Sequence, residues 1–452
     1  MRGKGGKVKE KVRISVSGIR GRVPDAFHVE LVSQFASSFA TFLDSGTLAL
    51  CRDGRPSGHM LEMAAVASAV AAGCDCTCFG VLPTPLLQFL MTRESFSGGM
   101  AVSAGHNPLP WNAVILLNEE GRYLETSEGA EVFNIHEAGD FRKAAWRDLG
   151  HRNHGAFPME DYLEALGEIV DVSRIRKARF KVVADPCNGA ASSCLERFGE
   201  YFDLDLIVLN DHPGRPFPHP PEPNEENATQ VEAVVKATAA DLGFLLNSDA
   251  SRISFVTGEG KALSEELTFP LSLLALKGRL HKIVTTTSTS YLADWACQRI
   301  GAELIRSKVG QSGVVHAMEE EGAEAGGEGS GSFVLSSFSH GYDALLSLSL
   351  LLDLATRSGG LKEIVAPFPT FWRKKLKIDV PPWETYRLMD RLEEAYAEEN
   401  PDIIDGIRIE RDDVWFNIRP STTEFTLRII VEGRSEAAVE AAQTEIRERV
   451  RI

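Results

Sequence analysis

Four polar loops interrupt apolar, strand-like segments of the chain, and their side chains are of the types that bind ions. They cover residues 103–108 (SAGHNP), 247–252 (NSDASR), 326–331 (GGEGSG) and 419–424 (RPSTTE). Residues 17–21 and 51–58 add arginines beside glycines. A guanidinium group can bind an oxyanion through two parallel hydrogen bonds, and glycine lets backbone amides approach the same anion. This pattern predicts an oxyanion site, although such Arg–Asp turns also serve simply to hold a loop together.

The loop at residues 247–252 has the spacing of a cation site but not its charge. Asn247, Asp249 and Ser251 place oxygen atoms at every second residue, which can wrap a hard cation, but only one of them is a carboxylate. The segment follows an apolar strand, and ligand loops collect at that end of strands in α/β sheets. The loop at 419–424 offers one cation and three hydroxyls, which suits a phosphate or an ordinary Ser/Thr turn.

Short apolar strands alternate with helical patterns along most of the chain, which predicts α/β domains with mixed sheets. The predicted strands include residues 47–51, 75–79, 113–117, 180–184, 204–209, 242–246, 281–286 and 302–306. Residues 322–331 hold five glycines and are predicted to form a loop. Beyond residue 373, strands at 374–380, 407–418 and 425–432 with two helices predict a different, α+β domain. We expect domains at residues 1–155, 156–258, 259–372 and 373–452, the first three similar to one another.

The composition sets limits on partners and location. The 452 residues include 64 acidic and 48 basic side chains, and a net charge of -16 argues against nucleic-acid binding. No apolar run reaches the length of a membrane span, so we expect no membrane association. Seven cysteines without a secretion signal favour reduced thiols and a cytoplasmic location. Cys74, Cys76 and Cys78 alternate along one strand face, and three small buried residues are favoured over a metal cluster.

Taken together, the loops resemble the α-D-phosphohexomutases, the group that includes phosphoglucosamine mutase and phosphomannomutase/phosphoglucomutase. Ten segments match in sequence order: 17–21, 52–58, 82–85, 104–108, 185 with 188–189, 217–223, 241–252, 308–310, 326–331 and 419–424. The resemblance implies four domains that each contribute one loop to a central cleft. It also implies a phosphoserine that exchanges its phosphate with a hexose phosphate, assisted by one Mg²⁺ that three aspartates hold.

The chain departs from the family pattern at the positions that carry phosphoryl transfer. Gly105 stands at the phosphoserine position, and Asn247, Asp249 and Ser251 stand at the three aspartate positions. Ile115 stands where the family has a lysine that is an acid/base candidate. Each carboxylate beside a cation contributes roughly a few kcal/mol at an effective dielectric near 20. We therefore expect Mg²⁺ binding to be weak or absent and no cofactor to be required.

The binding positions implied by the resemblance are better kept, although Ser332 and Thr422 also differ from many relatives. They are Arg20, His106, Arg252, Lys308, Glu328, Ser330, Arg419, Ser421 and Thr423. The leading hypothesis is a phosphohexomutase-fold protein that binds a hexose phosphate without efficient mutase chemistry. One alternative is an active mutase with Ser103, Ser248 or Ser251 as replacement nucleophile. Another is a structural or regulatory partner that forms homo-oligomers or binds a true mutase. The sequence does not distinguish among hexoses.

Overall fold

The computed structural model of the chain describes residues 12–15, 18–421 and 426–450. Within these ranges, no helix combines the length and the apolar character needed to cross a membrane. Four sheets follow one another along the chain, three of them mixed and the last antiparallel. The predicted fold class is therefore confirmed: three α/β domains precede a C-terminal α+β domain.

The first domain is built on a seven-stranded sheet in the order β1-β2-β6-β5-β3-β4-β7. Its strands are β1 (Arg13–Ser15), β2 (Gly18–Arg22), β3 (Gly46–Arg52), β4 (Cys74–Val81), β5 (Gly98–Val102), β6 (Trp111–Leu117) and β7 (Arg152–His154). Its helices are α1 (Val29–Phe42), α2 (Gly58–Ala71), α3 (Thr84–Met91) and α4 (Thr126–Ala138).

The second and third domains each contain a four-stranded sheet, in the orders β11-β10-β8-β9 and β13-β12-β14-β15. The second contains α5 (Met159–Ile169), α6 (Val172–Ala178), β8 (Lys181–Asp185), α7 (Leu195–Phe202), β9 (Asp205–Val208), α8 (Thr229–Thr238), β10 (Leu242–Leu246) and β11 (Ile253–Thr257). The third contains α9 (Thr268–Ala275), β12 (Lys282–Thr286), α10 (Tyr291–Ile300), β13 (Glu303–Ser307), α11 (Gln311–Glu321), β14 (Ala325–Glu328), β15 (Ser332–Leu335), α12 (Ala344–Ser358) and α13 (Leu361–Val365).

The fourth domain is an antiparallel sheet in the order β16-β19-β18-β17 with two helices. Its elements are β16 (Trp372–Asp379), α14 (Pro382–Tyr396), β17 (Ile407–Glu410), β18 (Val414–Pro420), β19 (Thr426–Gly433) and α15 (Glu436–Val450). The single strand predicted for residues 407–418 is two strands, β17 and β18, that pair antiparallel. This correction reflects the polar Arg411-Asp412-Asp413 segment, which forms the turn between them.

The first three sheets share one arrangement of four strands. Three parallel strands (β4-β3-β5, β9-β8-β10 and β13-β12-β14) are followed by an antiparallel one, β6, β11 or β15. The third parallel strand therefore runs in each case into a loop that turns back to the antiparallel strand. These three loops occupy equivalent positions in the three sheets, which explains how a repeated fold presents three polar loops.

The first three domains also share a continuous apolar core, whereas the fourth has its own. The shared core joins side chains such as Phe89, Phe198 and Leu345, and most of α12 is buried in it. The fourth domain packs around residues such as Leu388, Phe416 and Ile446. The walls of a cleft formed by the first three domains are thus fixed to one another by apolar burial.

The glycine-rich segment at residues 322–331 is not a loop throughout, so that prediction was wrong. It contributes β14, and Gly326 and Gly327 lie within that strand. A Cβ on Gly326 would come within 2.5 Å of Met318 Sδ, and one on Gly327 within 2.4 Å of Phe269 Cδ2. The glycines therefore allow α9 and α11 to pack closely on the strand, which is a structural use of glycine within sheets.

The alternating cysteines lie on the buried face of β4. Cys74, Cys76 and Cys78 are all buried, and burial raises the pKa of the Cys74 thiol to about 11. The same cause raises the pKa of Cys76 to about 12. Thiols of raised pKa are protonated at neutral pH and pack as small apolar groups.

Candidate functional site

The polar loops predicted from the sequence follow strand ends in all four domains. Residues 103–110 join β5 to β6, residues 247–252 join β10 to β11, and residues 329–331 join β14 to β15. In the fourth domain, Arg419 lies near the end of β18, and Ser421 begins the connection from β18 to β19. Residues 422–425 of that connection, among them the predicted site residue Thr423, lie outside the described residues.

Arg55 is a buried arginine that fastens the first loop to the rest of the site. It lies between β3 and α2, and its Nε is 3.1 Å from Asp53 Oδ2. Its guanidinium also donates to four carbonyl oxygens, those of Gly105, Asn107, Pro108 and Trp111. Arginine presents five N–H donors on three nitrogen atoms of a planar group, whereas lysine has three donors on a single nitrogen, so arginine can serve acceptors spread over a wider arc. The conformation of residues 105–111 therefore depends on this one side chain.

Gly105 occupies the position that the resemblance assigns to the phosphoserine, and it faces the second loop. Its φ of +53° lies in the left-handed region, which residues with a side chain seldom adopt. A Cβ placed on it would point at the second loop, 3.1 Å from Asp249 Oδ2. Gly105, at the position of the family's phosphoserine, therefore lies next to Asp249, which stands at one of the family's metal-binding aspartate positions. The resemblance implies this proximity.

Ser103, the possible replacement nucleophile, is buried beneath that loop. Its hydroxyl donates to Asp53 Oδ2 at 2.7 Å and accepts from the Gly105 amide at 3.0 Å. Ser248 is equally buried, and its single hydroxyl proton is shared between two acceptors, Asp53 Oδ2 at 2.7 Å and the Gly105 carbonyl at 2.8 Å. Burial raises the pKa of Asp53, while these hydroxyls and Arg55 oppose that effect by stabilising its carboxylate. Both serines therefore act here as internal hydrogen-bond partners of Asp53.

In the second domain, the side chains of the loop at residues 247–252 form hydrogen bonds with one another. Asn247 Oδ1 accepts from the Arg252 amide, so its Nδ2 is turned toward Ser251 Oγ at 3.0 Å. The Ser251 hydroxyl in turn donates to Asp249 Oδ1 at 2.7 Å. Because an amide donor and a hydroxyl proton occupy this space, the set does not fit a divalent cation that requires converging anionic oxygens. Asp249 is its one carboxylate.

Three predicted residues form a positively charged cluster in front of these loops. Arg20 donates to Asn107 Oδ1 at 2.7 Å, and burial lowers the pKa of its guanidinium. The pKa of His106 lies well below its usual value, first because of the Arg252 charge and then because of burial and Arg20. His106 is therefore neutral at neutral pH, and the positive charge of the cluster comes from its arginines.

The fourth domain adds two arginines that lie opposite each other on neighbouring strands. Arg419 of β18 is in register with Arg428 of β19, and like charges in directly opposed positions are destabilising. Among the described residues, none accepts a hydrogen bond from the buried Nε of Arg419. Burial lowers the pKa of Arg419, and the charges of Asp405 and Glu328 oppose this effect. Arg428 also contributes to the lowered pKa of His106, which places it near the cluster.

The third domain contributes Glu328, which ends β14. It is buried and accepts a hydrogen bond from the Tyr342 hydroxyl at 2.8 Å. Ser330 lies two residues later, with its hydroxyl 3.2 Å from that of Ser332. Lys308 is exposed and lines a cavity of about 760 Å³ between the first and third domains. The charges of Arg20, Arg252, Glu328 and Arg419, one from each domain, thus act on shared neighbours.

Three residues of the cleft were not identified from the sequence. Arg428 is in the middle of a strand pattern, and only its pairing with Arg419 brings it to the site. Tyr342 belongs to no sequence motif, and it is connected to the cleft by the hydrogen bond that its hydroxyl donates to Glu328. Tyr123 lies outside every polar loop, yet its phenol interacts electrostatically with Asp249 and Arg20. No sequence signal marks these positions, because each depends on a contact between distant segments.

Family models for phosphoglucomutase/phosphomannomutase match the chain in four consecutive stretches. The alpha/beta/alpha domains I, II and III match residues 12–143, 160–260 and 270–371, and the C-terminal domain matches residues 377–449. The matches cover nearly the whole chain in the order that the four sheets follow.

Curated relatives and solved structures agree with these matches. A probable phosphoglucosamine mutase of Methanothermobacter thermautotrophicus is 33% identical over 438 residues, covering 95% of this chain and 96% of that protein. A phosphoglucomutase/phosphomannomutase of Thermococcus kodakarensis is 31% identical, with 93% and 94% covered. The crystal structure of a phosphoglucomutase/phosphomannomutase family protein from Burkholderia thailandensis superimposes with a TM-score of 0.84 at 24% identity, covering 97% of each chain.

The dependence of the first loop on Arg55 predicts a large stability effect for Arg55→Lys. Lysine keeps the positive charge but cannot reach the several acceptors, so we expect the free energy of unfolding to fall by at least about 2 kcal/mol. Denaturant unfolding followed by circular dichroism measures this change. Arg179→Lys is the matched control, since the Arg179 side chain is 84% exposed, and it should leave stability nearly unchanged. Equal stability of the two variants would contradict the role assigned to Arg55.

Proposed function

The chain belongs to the phosphoglucomutase/phosphomannomutase family, and from that premise we propose that it binds a phosphorylated hexose without being an efficient mutase. The ligand lies in the cleft between the four domains, and its phosphate is the group that the arginines hold. The phosphoryl-transfer step is impaired because the nucleophile position and the cation loop have lost the groups that it requires.

The observation that carries the binding proposal is the convergence of arginines from three domains on neutral His106. The charges of Arg252, Arg20 and Arg428 each lower the pKa of His106, and within the described ranges Arg252 lies 3.8 Å from Glu222. Like charges held together repel unless an anion lies between them. A phosphate bound among them removes this repulsion and gains charge-assisted hydrogen bonds. Asp249 is the one carboxylate of the loop beside Arg20 and Arg252, and a bound phosphate would offset the remaining positive charge.

Two contacts support the proposal that phosphoryl transfer is impaired. Gly105 carries no hydroxyl at the position that faces Asp249, so no phosphoserine forms there. Asn247 and Ser251 donate hydrogen bonds where the family pattern has carboxylates. Efficient phosphoryl transfer depends on positioning and on neutralising charge around the transferred group. The cleft keeps the cations for binding and lacks the anionic ligands for a metal.

If the protein is an active mutase, Ser251 is the remaining candidate for the replacement nucleophile. Its hydroxyl is half-buried and donates to Asp249 Oδ1, a pairing that can also activate a serine. Ser103 and Ser248, by contrast, are fully buried against Asp53. Mass spectrometry of the purified protein distinguishes the two functions. A stable phosphate on Ser251 together with turnover of glucose 1-phosphate would favour the active mutase.

The seven cysteines bear on location. All seven are buried and unpaired in the described chain, which supports the proposal of a reducing, cytoplasmic environment. A regulatory role, as a homo-oligomer or as the partner of a true mutase, becomes the leading proposal if the ligand tests below fail.

The first test concerns the metal. Because Asp249 is the one carboxylate of the loop and Arg20 and Arg252 lie beside it, we expect titration calorimetry to detect no Mg²⁺ binding at millimolar concentrations. A micromolar Mg²⁺ site in the wild type that disappears in Asp249→Ala would overturn this expectation.

The second test restores the family residues. Gly105→Ser alone should give little mutase activity, because a left-handed φ strains serine by about 1 kcal/mol and the metal loop stays incomplete. Adding Asn247→Asp and Ser251→Asp should increase activity more than additively, since nucleophile and metal act on the same phosphoryl group. The double variant Asn247→Asp/Ser251→Asp, with Gly105 unchanged, is the control. Its melting temperature should rise with Mg²⁺, and that of the wild type should not. Full activity of Gly105→Ser alone would contradict the proposal.

The third test concerns the phosphate site of the fourth domain. Arg419→Ala should leave the melting temperature nearly unchanged, because removing one of two opposed arginines relieves repulsion. It should abolish the rise in melting temperature that hexose 1- or 6-phosphates cause in the wild type. Glucosamine 6-phosphate, mannose 1-phosphate and glucose 1-phosphate form the test panel, and Arg179→Ala is the control. If millimolar concentrations of all three leave the wild-type melting temperature unchanged, binding is refuted and the regulatory-partner proposal replaces it.

A further inference from the structure

Tyr123 lies just beyond the end of β6, at the edge of the cleft. Its backbone pairs with Leu117 in an isolated antiparallel bridge, so the chain turns back over the strand end. On β6 itself, Ile115 stands where the resemblance places a lysine, and its side chain is buried in the apolar core. No cation therefore reaches the cleft from that position, and Tyr123 is a neutral polar group that this part of the first domain presents, next to Arg122.

Charges from three domains act on the phenol of Tyr123. It interacts electrostatically with Asp249, Arg20, Arg252 and Glu328. Burial is the main cause of a raised pKa, so the hydroxyl keeps its proton at neutral pH. A neutral hydroxyl that keeps its proton can donate to an anion placed between Arg20 and Arg252.

Tyr123 also lines the cavity of about 760 Å³ between the first and third domains, together with Arg122, Lys308 and Gln311. A cavity of this size accommodates a hexose phosphate, because small-molecule sites range from about 300 to 1,000 Å³. The side chain thus borders both the open cavity and the arginine cluster.

Two buried tyrosines show how a structural hydroxyl is held in this protein. The Tyr162 hydroxyl donates to both carboxylate oxygens of Asp343, at 2.8 and 2.9 Å. The Tyr342 hydroxyl donates to Glu328 at 2.8 Å. No side chain or carbonyl of the described ranges forms a comparable hydrogen bond with the Tyr123 hydroxyl. This hydroxyl is therefore available to a ligand.

We propose that the Tyr123 hydroxyl donates a hydrogen bond to a phosphate oxygen of the ligand held between Arg20 and Arg252. This inference rests on the proposed function, because it names a contact within the same hexose-phosphate site. The resemblance places a lysine at the position of Ile115. In this chain Tyr123 supplies a neutral hydrogen-bond donor instead. Its role is recognition of the phosphate.

The test is calorimetric titration of Tyr123→Phe with glucose 1-phosphate and with inorganic phosphate. Loss of a hydrogen bond to a charged group should weaken binding of glucose 1-phosphate by about tenfold or more. Inorganic phosphate should lose affinity in the same proportion if the contact is to the phosphate. The melting temperature without ligand should stay close to that of the wild type, since the ring is retained. Tyr386→Phe is the matched control, because Tyr386 is 81% exposed on α14, and its affinities should be unchanged.

The possible outcomes separate this inference from the proposed function. If the wild type binds glucose 1-phosphate and Tyr123→Phe binds it equally well, the Tyr123 contact is refuted and the proposed function stands. If Tyr123→Phe weakens glucose 1-phosphate binding but not inorganic phosphate binding, the contact is to the sugar and this inference is likewise overturned. If the wild type binds none of the hexose phosphates, the proposed function fails, and the inference fails with it.

Discussion

The cleft depends on one buried ion pair, that of Arg55 with Asp53. Both side chains are almost completely inaccessible to solvent, and a buried charge is tolerated only when it is paired and fully hydrogen-bonded. Arg55 meets this requirement with carbonyls of residues 105–111, while Asp53 meets it with Ser103 and Ser248. Because Ser248 belongs to the second domain, the same network fixes the first and second loops against each other. The position of Gly105 opposite Asp249 follows from it.

The polar groups of the cleft fall into two physically different sets. In the set opposite Gly105, hydrogen bonds among Asn247, Asp249 and Ser251 leave the loop satisfied without a cation. In the other set, Arg419 and Arg428 lie opposite each other, and Arg252 acts on His106. The first set is stable as it stands, whereas the second concentrates positive charge that an anion stabilises. This contrast is the physical basis for proposing a binding protein rather than an efficient mutase.

The fourth domain is attached to the rest of the protein differently from the way the first three domains are attached to one another. The first three domains share one apolar core, whereas Arg373 joins the fourth domain to the third through polar contacts. Its guanidinium lies 2.9 Å from Glu266 of the third domain and 2.8 Å from Glu432 of the fourth. A phosphate bound by Arg419 and by residues of the other walls therefore adds a contact across the more polar of the domain interfaces.

The sequence by itself determined the fold class, the order of the four polar loops and the side-chain chemistry available at Gly105, Asn247 and Ser251. These features are local, because strand periodicity, turn residues and the presence or absence of a side chain can be recognised within a few residues. The tertiary structure alone decided that residues 325–328 form a strand, since the glycines there are required by helices packed from elsewhere. It alone placed Tyr123 among charges from three domains and Arg428 opposite Arg419. These outcomes depend on contacts between segments far apart in the chain, which no local pattern encodes.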